Sequence, residues 1–282
     1  MTTSDPTTQS GPTPIAIAVA PNGGRRSKAD HPALPLTPDE LAADATACLE
    51  SGACMIHIHV RDRDGRHLLD AGVYRAAIAA IRAAVDDELV IQITSEALGI
   101  YRPAEQMEVV RKVRPEAVSI ALRELLPDES HETGFAQFLE WLRSERIVPQ
   151  IILYTPEEAA LLAALTARGL IPFEHLPVLF VLGRYAVEQR AMPSDLLAFL
   201  APGMPRFAHW SVCAFGPREA ACVTAGALFG GHVRVGFENN LWLPDGSLAS
   251  DNAALVAASS EALRASGLII ADADRLRRMW SV

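Results

Sequence analysis

The stretch CMIHIHVRDRDGRHLLDAGVYRAAIAAIRAAV, residues Cys54–Val85, contains one complete unit of the predicted fold. Cys54–Val60 is a short and mostly apolar run, which is typical of a buried strand. Ala71–Val85 follows it with the period of an amphipathic helix. The apolar face of this helix is formed by Val73, Ala77, Ile78, Ile81 and Val85. The spacing predicts a strand with its crossover helix, the building block of a parallel sheet.

The same alternation continues along the chain on both sides of this unit, and no linker interrupts it. Seven further strands are predicted, at Ile15–Ala20, Leu89–Thr94, Ala117–Ala121, Val148–Tyr154, Pro177–Leu182, Ala208–Ala214 and His232–Glu238. The helices that follow them are predicted near 37–48, 104–113, 135–146, 156–168, 194–200, 217–228 and 252–265. Eight such pairs predict a single α/β domain, a (β/α)8 TIM barrel over residues 14–282, because parallel strands with right-handed crossovers close at eight. Ala271–Trp280 is predicted as a short extra C-terminal helix.

A doubly wound open sheet is the alternative architecture. Such a sheet usually carries a phosphate-binding GxGxxG pattern after its first strand. The corresponding segment here is Pro21-Asn22-Gly23-Gly24-Arg25-Arg26, which lacks that pattern.

Composition narrows the class of protein. The 282 residues are 50% hydrophobic and 21% charged with a net charge of −9, which indicates a globular chain with a large core. The acidic balance, without a basic stripe, predicts no nucleic-acid partner, and apolar runs of strand length predict no membrane span. Residues 1–13 are rich in Thr, Ser and Pro and are predicted to be a disordered tail, and they lack the features of a secretory signal. We therefore expect a cytoplasmic protein in which the four cysteines are reduced core thiols.

Ionisable residues occur at the predicted strand ends, where barrels of this type place their active sites. His57 and His59 are two apart, so on a strand both imidazoles project from one face. Glu238 ends strand eight, and two histidines with one carboxylate are a catalytic zinc arrangement. Alternatively, the two histidines are hydrogen-bonded residues of the core. Glu238 could instead form an ion pair with Arg234, and this pairing is compatible with binding a metal.

Further polar residues are predicted at the same end of the barrel. Glu96 follows strand three and is a candidate general base, with a solvated loop residue as the alternative. Arg25 follows strand one and Arg123 follows strand four, so both are candidates to bind an anion, although surface arginines are common.

Several segments together resemble the β-keto acid cleavage enzymes, typified by the 3-keto-5-aminohexanoate cleavage enzyme. The resemblance extends over residues 15–268, and it is carried by residues 20–32, 57–62, 92–94, 181–183 and 230–240. It implies a zinc-dependent barrel that converts a β-keto acid and acetyl-CoA into acetoacetate and a new acyl-CoA. It also implies a homo-oligomer, expected to be a tetramer.

The resemblance assigns roles to individual residues. It makes Thr94 a hydroxyl beside the substrate and Arg234 a charge partner in the catalytic apparatus. The implied zinc ligands are His57, His59 and Glu238. The residues predicted to bind substrate are Asn22, Arg25, Ser119 and Arg123.

Three positions depart from the typical member. Asn239 stands among the catalytic positions where the typical member has an aspartate involved in deprotonation, and an amide cannot act as a base. Glu96 stands where the 3-keto-5-aminohexanoate cleavage enzyme has glycine, and we predict that Glu96 acts as the base in place of the missing aspartate. Arg25 and Ile152 stand where that enzyme has two glutamates that bind the substrate amine, which predicts an anionic or neutral keto acid here.

Two other functions fit the same residues. A barrel zinc metallohydrolase would use the same three ligands, and dependence of turnover on CoA separates it from the cleavage reaction. The other is a metal-binding relative that is inactive because Asn239 replaces the base. Such a protein would retain zinc but would not exchange keto acid protons with solvent.

Overall fold

A computed structural model describes residues 13–281 and contains a closed barrel of eight parallel strands. The strands are β1 (Ile17–Val19), β2 (Met55–Ile58), β3 (Val60–Arg61), β4 (His67–Leu68), β5 (Val90–Thr94), β6 (Ala117–Ala121), β7 (Val148–Leu153), β8 (Val178–Leu182), β9 (Trp210–Ala214) and β10 (His232–Val235). The short strands β3 and β4 form an antiparallel hairpin, and the other eight close the barrel in the order β1-β2-β5-β6-β7-β8-β9-β10. The predicted (β/α)8 fold is therefore confirmed. Residues 1–12, most of the predicted tail, lie outside the described part of the chain.

Helices connect the strands and cover the outside of the barrel. They are α1 (Pro38–Glu50), α2 (Ala71–Val85), α3 (Pro103–Val113), α4 (Leu122–Leu125), α5 (Glu132–Ser144), α6 (Pro156–Ala167), α7 (Leu197–Leu200), α8 (Glu219–Leu228), α9 (Asn252–Ala265) and α10 (Ala273–Met279). Helix α1 begins with a capping box between Thr37 and Glu40. Helix α10 confirms the predicted extra C-terminal helix. Within residues 13–281, no helix combines the length and apolarity that a bilayer crossing requires.

The core has an apolar layer between strands and helices and a polar row inside the barrel. Tyr74, Ile81 and Phe138 are fully buried in the outer layer, and the four cysteines are buried thiols. Inside the barrel, the Gln92 side-chain amide donates to Gln150 (3.1 Å), whose amide donates to Ser211 (3.2 Å). Each polar atom in this row thereby has a partner, which burial requires. The row fixes Gln92 beneath the barrel mouth.

Two strands end two or three residues earlier than the sequence pattern predicts. The strand predicted to reach Val60 stops at Ile58, because Val60–Arg61 pairs with His67–Leu68 in the hairpin. The strand predicted to reach Glu238 stops at Val235, because Gly236 adopts a φ of +132° and turns the chain. His59 consequently lies in the one-residue break between β2 and β3, and Glu238 lies on the turn after β10. The alternation of side chains along a strand cannot predict the orientation of either residue.

We expect Gly236→Ala to destabilise the fold strongly. A Cβ at this position would collide with the backbone of Ala20, and alanine is also strained at this φ. The two effects together predict a loss of about 3 kcal/mol in the free energy of unfolding. Gly246→Ala is the matched control, since its φ is +87° and no atom lies within 4 Å of an added Cβ. Equal losses of unfolding free energy in urea titrations of the two variants would contradict this explanation.

Candidate metal centre

Three side chains meet at the mouth of the barrel, and one potential ligand atom of each faces a common point. His57 Nε2 lies 3.1 Å from His59 Nε2. Glu238 Oε2 lies 3.5 Å from the first of these nitrogens and 3.3 Å from the second. Both imidazoles are buried, and β1 pairs with both β2 and β10, so only one strand separates the elements that carry the three residues.

The surroundings of His57 determine which nitrogen faces the centre of the site. Its Nδ1 lies 2.8 Å from Gln92 Oε1, and the Gln92 amide group is already committed to Gln150. Nδ1 therefore donates to Gln92, which leaves the Nε2 lone pair directed at the other two residues. Burial lowers the pKa of His57 to about 3, so the imidazole is neutral, as a metal ligand must be.

Glu238 uses one carboxylate oxygen for Arg234 and the other for the histidines. Arg234 Nη2 donates to Oε1 at 3.1 Å. Burial alone would raise the pKa of Glu238, but the adjacent Arg234 guanidinium outweighs burial and holds this pKa well below its usual range. Glu238 is therefore a carboxylate that belongs both to an ion pair and to the three-residue cluster.

The three atoms fit a zinc-sized cation. Oε2 of Glu238 is buried without a hydrogen-bond partner, which is expensive for a carboxylate unless a cation is present. A tetrahedral ion with ligands at ~2.1 Å separates them by ~3.4 Å, and the three separations here are 3.1, 3.3 and 3.5 Å. His57, His59 and Glu238 are also the group of potential ligands found within residues 13–281.

The turn that carries Glu238 is held by two buried residues that the sequence pattern does not mark as part of the site. Glu219 accepts the Gly236 N–H and the Asn240 side-chain amide, each at 3.3 Å. Asn252 accepts the Phe237 N–H at 2.8 Å. Both residues lie at helix N-termini, where a polar residue is most simply interpreted as a cap, so their sequence gives little sign of this role.

The hairpin β3–β4 positions Glu96 beside the cluster. His67 on β4 contacts the Glu96 carbonyl through Nε2 at 2.7 Å, and Thr94 Oγ1 accepts the Glu96 N–H at 3.0 Å. The Glu96 carboxylate then lies 3.7 Å from His59 Nδ1. A carboxylate next to the outer nitrogen of a metal-binding histidine would orient that ring.

A pocket opens above the cluster. Among the other predicted residues, Thr94, Glu96, Ser119 and Arg234 line it. One wall is apolar and consists of Ala121, Ile152, Val181 and Phe215. Tyr154 and Arg184 also line the pocket. Neither these two residues nor Phe215 were predicted, because residues on loops do not follow the hydrophobic period of a strand or helix.

Four predicted residues lie outside the lining of this pocket. Asn22 is fully buried, donates to the His59 carbonyl at 2.9 Å and accepts the His59 N–H at 3.3 Å, so it positions a histidine. Arg25 is exposed and lines an adjoining pocket. Arg123 donates to Glu158 at 2.6 Å and lies over the Tyr154 ring. Asn239 is buried, and neither polar atom of its side chain has a partner.

Comparison with known proteins identifies the family. Residues 14–281 match the sequence description of the beta-keto acid cleavage enzymes. The chain belongs to the β-keto acid cleavage enzyme family. It is therefore an enzyme, and the barrel mouth with its three-residue cluster is the candidate active site of this family member.

Relatives of this β-keto acid cleavage enzyme differ in the compounds for which they are named. The chain is 28% identical over 273 residues to a 3-keto-5-aminohexanoate cleavage enzyme of Fusobacterium nucleatum, covering 95% of this chain and 98% of the relative. It is also 28% identical over 253 residues to a 3-oxoadipate:acetyl-CoA acetyltransferase of Cupriavidus necator, covering 86% of each. Equal identity to both leaves the substrate to be inferred from the pocket.

A solved structure supports the fold. ObcA, in a ternary complex with a C4-CoA adduct and oxalate, superimposes with a TM-score of 0.68 at 16% identity. The superposition covers 89% of this chain and 68% of ObcA. At this identity the likeness establishes the barrel and nothing further.

Proposed function

We propose that this enzyme transfers acyl groups between a β-keto acid and acetyl-CoA and releases acetoacetate and a new acyl-CoA. The observation that carries the proposal is the cluster of three converging ligand atoms at the base of a pocket, in a chain of this family. The names of the two relatives, one for keto acid cleavage and one for acetyl transfer from acetyl-CoA, support it.

The reaction balances without an oxidant or reductant. Loss of a proton from C2 of the keto acid gives a carbanion that attacks the acetyl-CoA carbonyl and expels the CoA thiolate. The thiolate adds to the original keto carbon, and the bond between that carbon and C2 breaks. The products are the new acyl-CoA and acetoacetate, whose C2 recovers a proton.

We propose that His57, His59 and Glu238 hold a zinc ion. When bound, the ion would supply Lewis-acid stabilisation of negative charge on substrate oxygens. Three protein ligands would leave the fourth position of a zinc ion to substrate or water, which distinguishes a catalytic from a structural zinc site.

Hydroxyl and guanidinium groups in the pocket are available to orient the keto acid. Thr94 Oγ1 accepts a backbone N–H, so its own hydrogen is free to donate. Ser119 Oγ is buried without a partner, and so are Nε and Nη1 of Arg234. All three side chains line the pocket, and we propose that they donate to the oxygens on which charge develops.

We propose that Glu96 accepts the C2 proton. Its side chain lines the pocket and is about one-fifth exposed, so substrate can reach it. Asn239 has no basic atom and does not line the pocket, so it cannot take this role. Glu96 is also close to His59, and a test of its role must therefore follow both proton transfer and metal content.

Dependence on acetyl-CoA tests this function against the alternatives. A panel of β-keto acids is incubated with the metal-loaded enzyme with and without acetyl-CoA, and products are followed by mass spectrometry. We expect acyl-CoA and acetoacetate only with acetyl-CoA. Cleavage that proceeds equally without it would indicate a metallohydrolase, and a retained metal without turnover or proton exchange would indicate a non-catalytic relative.

We further propose that the substrate carries an anionic or neutral tail, because apolar Ile152 lines the pocket and no carboxylate lies at that position. The homo-oligomer, expected to be a tetramer, and the cytoplasmic location stay predictions.

A further inference from the structure

Arg184 is the arginine that the structure places at the junction of two connected pockets. It follows β8 and lines both the pocket above the cluster and the adjoining pocket that contains Arg25. Its guanidinium carbon lies 5.1 Å from the centre of the Phe215 ring, which lines both pockets as well. A guanidinium laid on an aromatic ring has its N–H edge free for a planar anion.

The charge of Arg184 is uncommitted. Within residues 13–281, its side chain makes no ion pair and donates no hydrogen bond, whereas two other arginines near the mouth are engaged. Arg123 pairs with Glu158 at 2.6 Å, and Arg26 donates to the Phe237 carbonyl. Arg25 is also unpaired but is exposed and does not line the pocket above the cluster.

The pocket presents an apolar surface on the side where Arg184 lies. In the barrel order, β8 stands opposite β2, which carries His57. Ile152 at the end of β7 and Val181 on β8 contribute the apolar wall on that side. A ligand that spans the mouth therefore meets oxygen-binding groups at one end, apolar side chains along its length, and a cation at the other end.

The carboxylates of the pocket do not offer a site for a cationic tail. Glu238 is committed to Arg234 and the histidines. Glu96 lies beside His59, and the buried Arg61 guanidinium interacts with its charge. An ammonium placed next to Arg184 would be repelled and would lack a partner.

We propose that Arg184 selects a β-keto acid whose tail ends in a carboxylate separated from the keto group by an apolar segment. This inference rests on the proposed function and names its substrate class, a β-keto dicarboxylic acid. The tail carboxylate accepts a charge-assisted, bidentate pair of hydrogen bonds from the guanidinium.

Matched substrates test the proposal. Keto acids of one chain length with carboxylate, methyl ester and ammonium tails are compared by kcat/KM in wild type, Arg184→Gln and Arg184→Lys. We expect wild type to prefer the carboxylate tail and Arg184→Gln to lose ~10- to 100-fold on that substrate, the effect of one charged hydrogen-bonded contact. The ester should change by less than about threefold, and Arg184→Lys should recover part of the preference. Arg278→Gln, at an exposed position of α10, is the matched control and should retain it.

Several outcomes would overturn the proposal. A wild-type preference for the ammonium or ester tail would do so, and so would an equal loss of kcat/KM on all tails in Arg184→Gln. A rise confined to the KM for acetyl-CoA would assign Arg184 to the CoA phosphates instead. Failure of the proposed function is distinguishable, since no tail would then be turned over. Calorimetric binding of the dicarboxylate to wild type and to Arg184→Gln would still test the contact, and equal affinities would refute it.

Discussion

We expect His57→Ala and His59→Ala to purify with less than about a tenth of the wild-type metal content and without measurable keto acid turnover. Each imidazole contributes one of three converging ligand atoms, and a two-ligand site cannot retain zinc against solvent. The barrel should persist, because its core is formed by the packed apolar layer and not by this cluster. Elemental analysis gives the metal content, and circular dichroism reports the fold.

His175→Ala is the control for this experiment. His175 is a surface residue far along the chain from the cluster, with more than half of its side chain exposed, and its loss should leave the metal content unchanged. A His57→Ala, His59→Ala double variant that keeps the full metal content would show that the metal site lies elsewhere.

Glu96→Gln should slow deuterium exchange at C2 of a bound keto acid by ~10²-fold or more, the range expected when a general base is lost. The substitution keeps the shape of the side chain and removes its ability to accept the proton. Exchange is followed by mass spectrometry or NMR in D2O, and the metal content is measured on the same preparation. Glu108→Gln, on an exposed part of α3, is the control and should exchange at the wild-type rate.

The paired readout separates the two possible roles of Glu96. Slow exchange with full metal content supports the base. A loss of metal in parallel with exchange would assign Glu96 to the orientation of His59, from which it lies 3.7 Å. An unchanged exchange rate would remove Glu96 from the mechanism.

The barrel could be predicted from the sequence because each of its units repeats the same local pattern. The ranges of α2, α9 and β6 agree with the pattern residue for residue, since caps and apolar spacing define them locally. The strands β3 and β4 were missed because two-residue strands have no measurable period. The predicted helix near 194–200 is a 3-10 turn followed by the short α7.

The cluster of His57, His59 and Glu238 could be predicted from the sequence because strand ends converge in a barrel. The ion-pair partners of charged residues could not be predicted in this way. Arg123 and Arg184 look alike in the sequence, since each follows a strand by a few residues. Only the structure shows that Glu158 neutralises the first and that the second faces the pocket unpaired. Asn22 is predicted to bind the substrate, but its side chain forms hydrogen bonds with backbone groups, including those of His59.

The fate of the acetyl carbons tests the proposed function most directly. The enzyme is incubated with an unlabelled β-keto acid and acetyl-CoA that carries ¹³C at both acetyl carbons, and the products are analysed by mass spectrometry. The exchange mechanism predicts acetoacetate with both labelled carbons at C3 and C4, together with an unlabelled acyl-CoA. Unlabelled acetoacetate or acetate, or cleavage to a free acid without acyl-CoA, would contradict it.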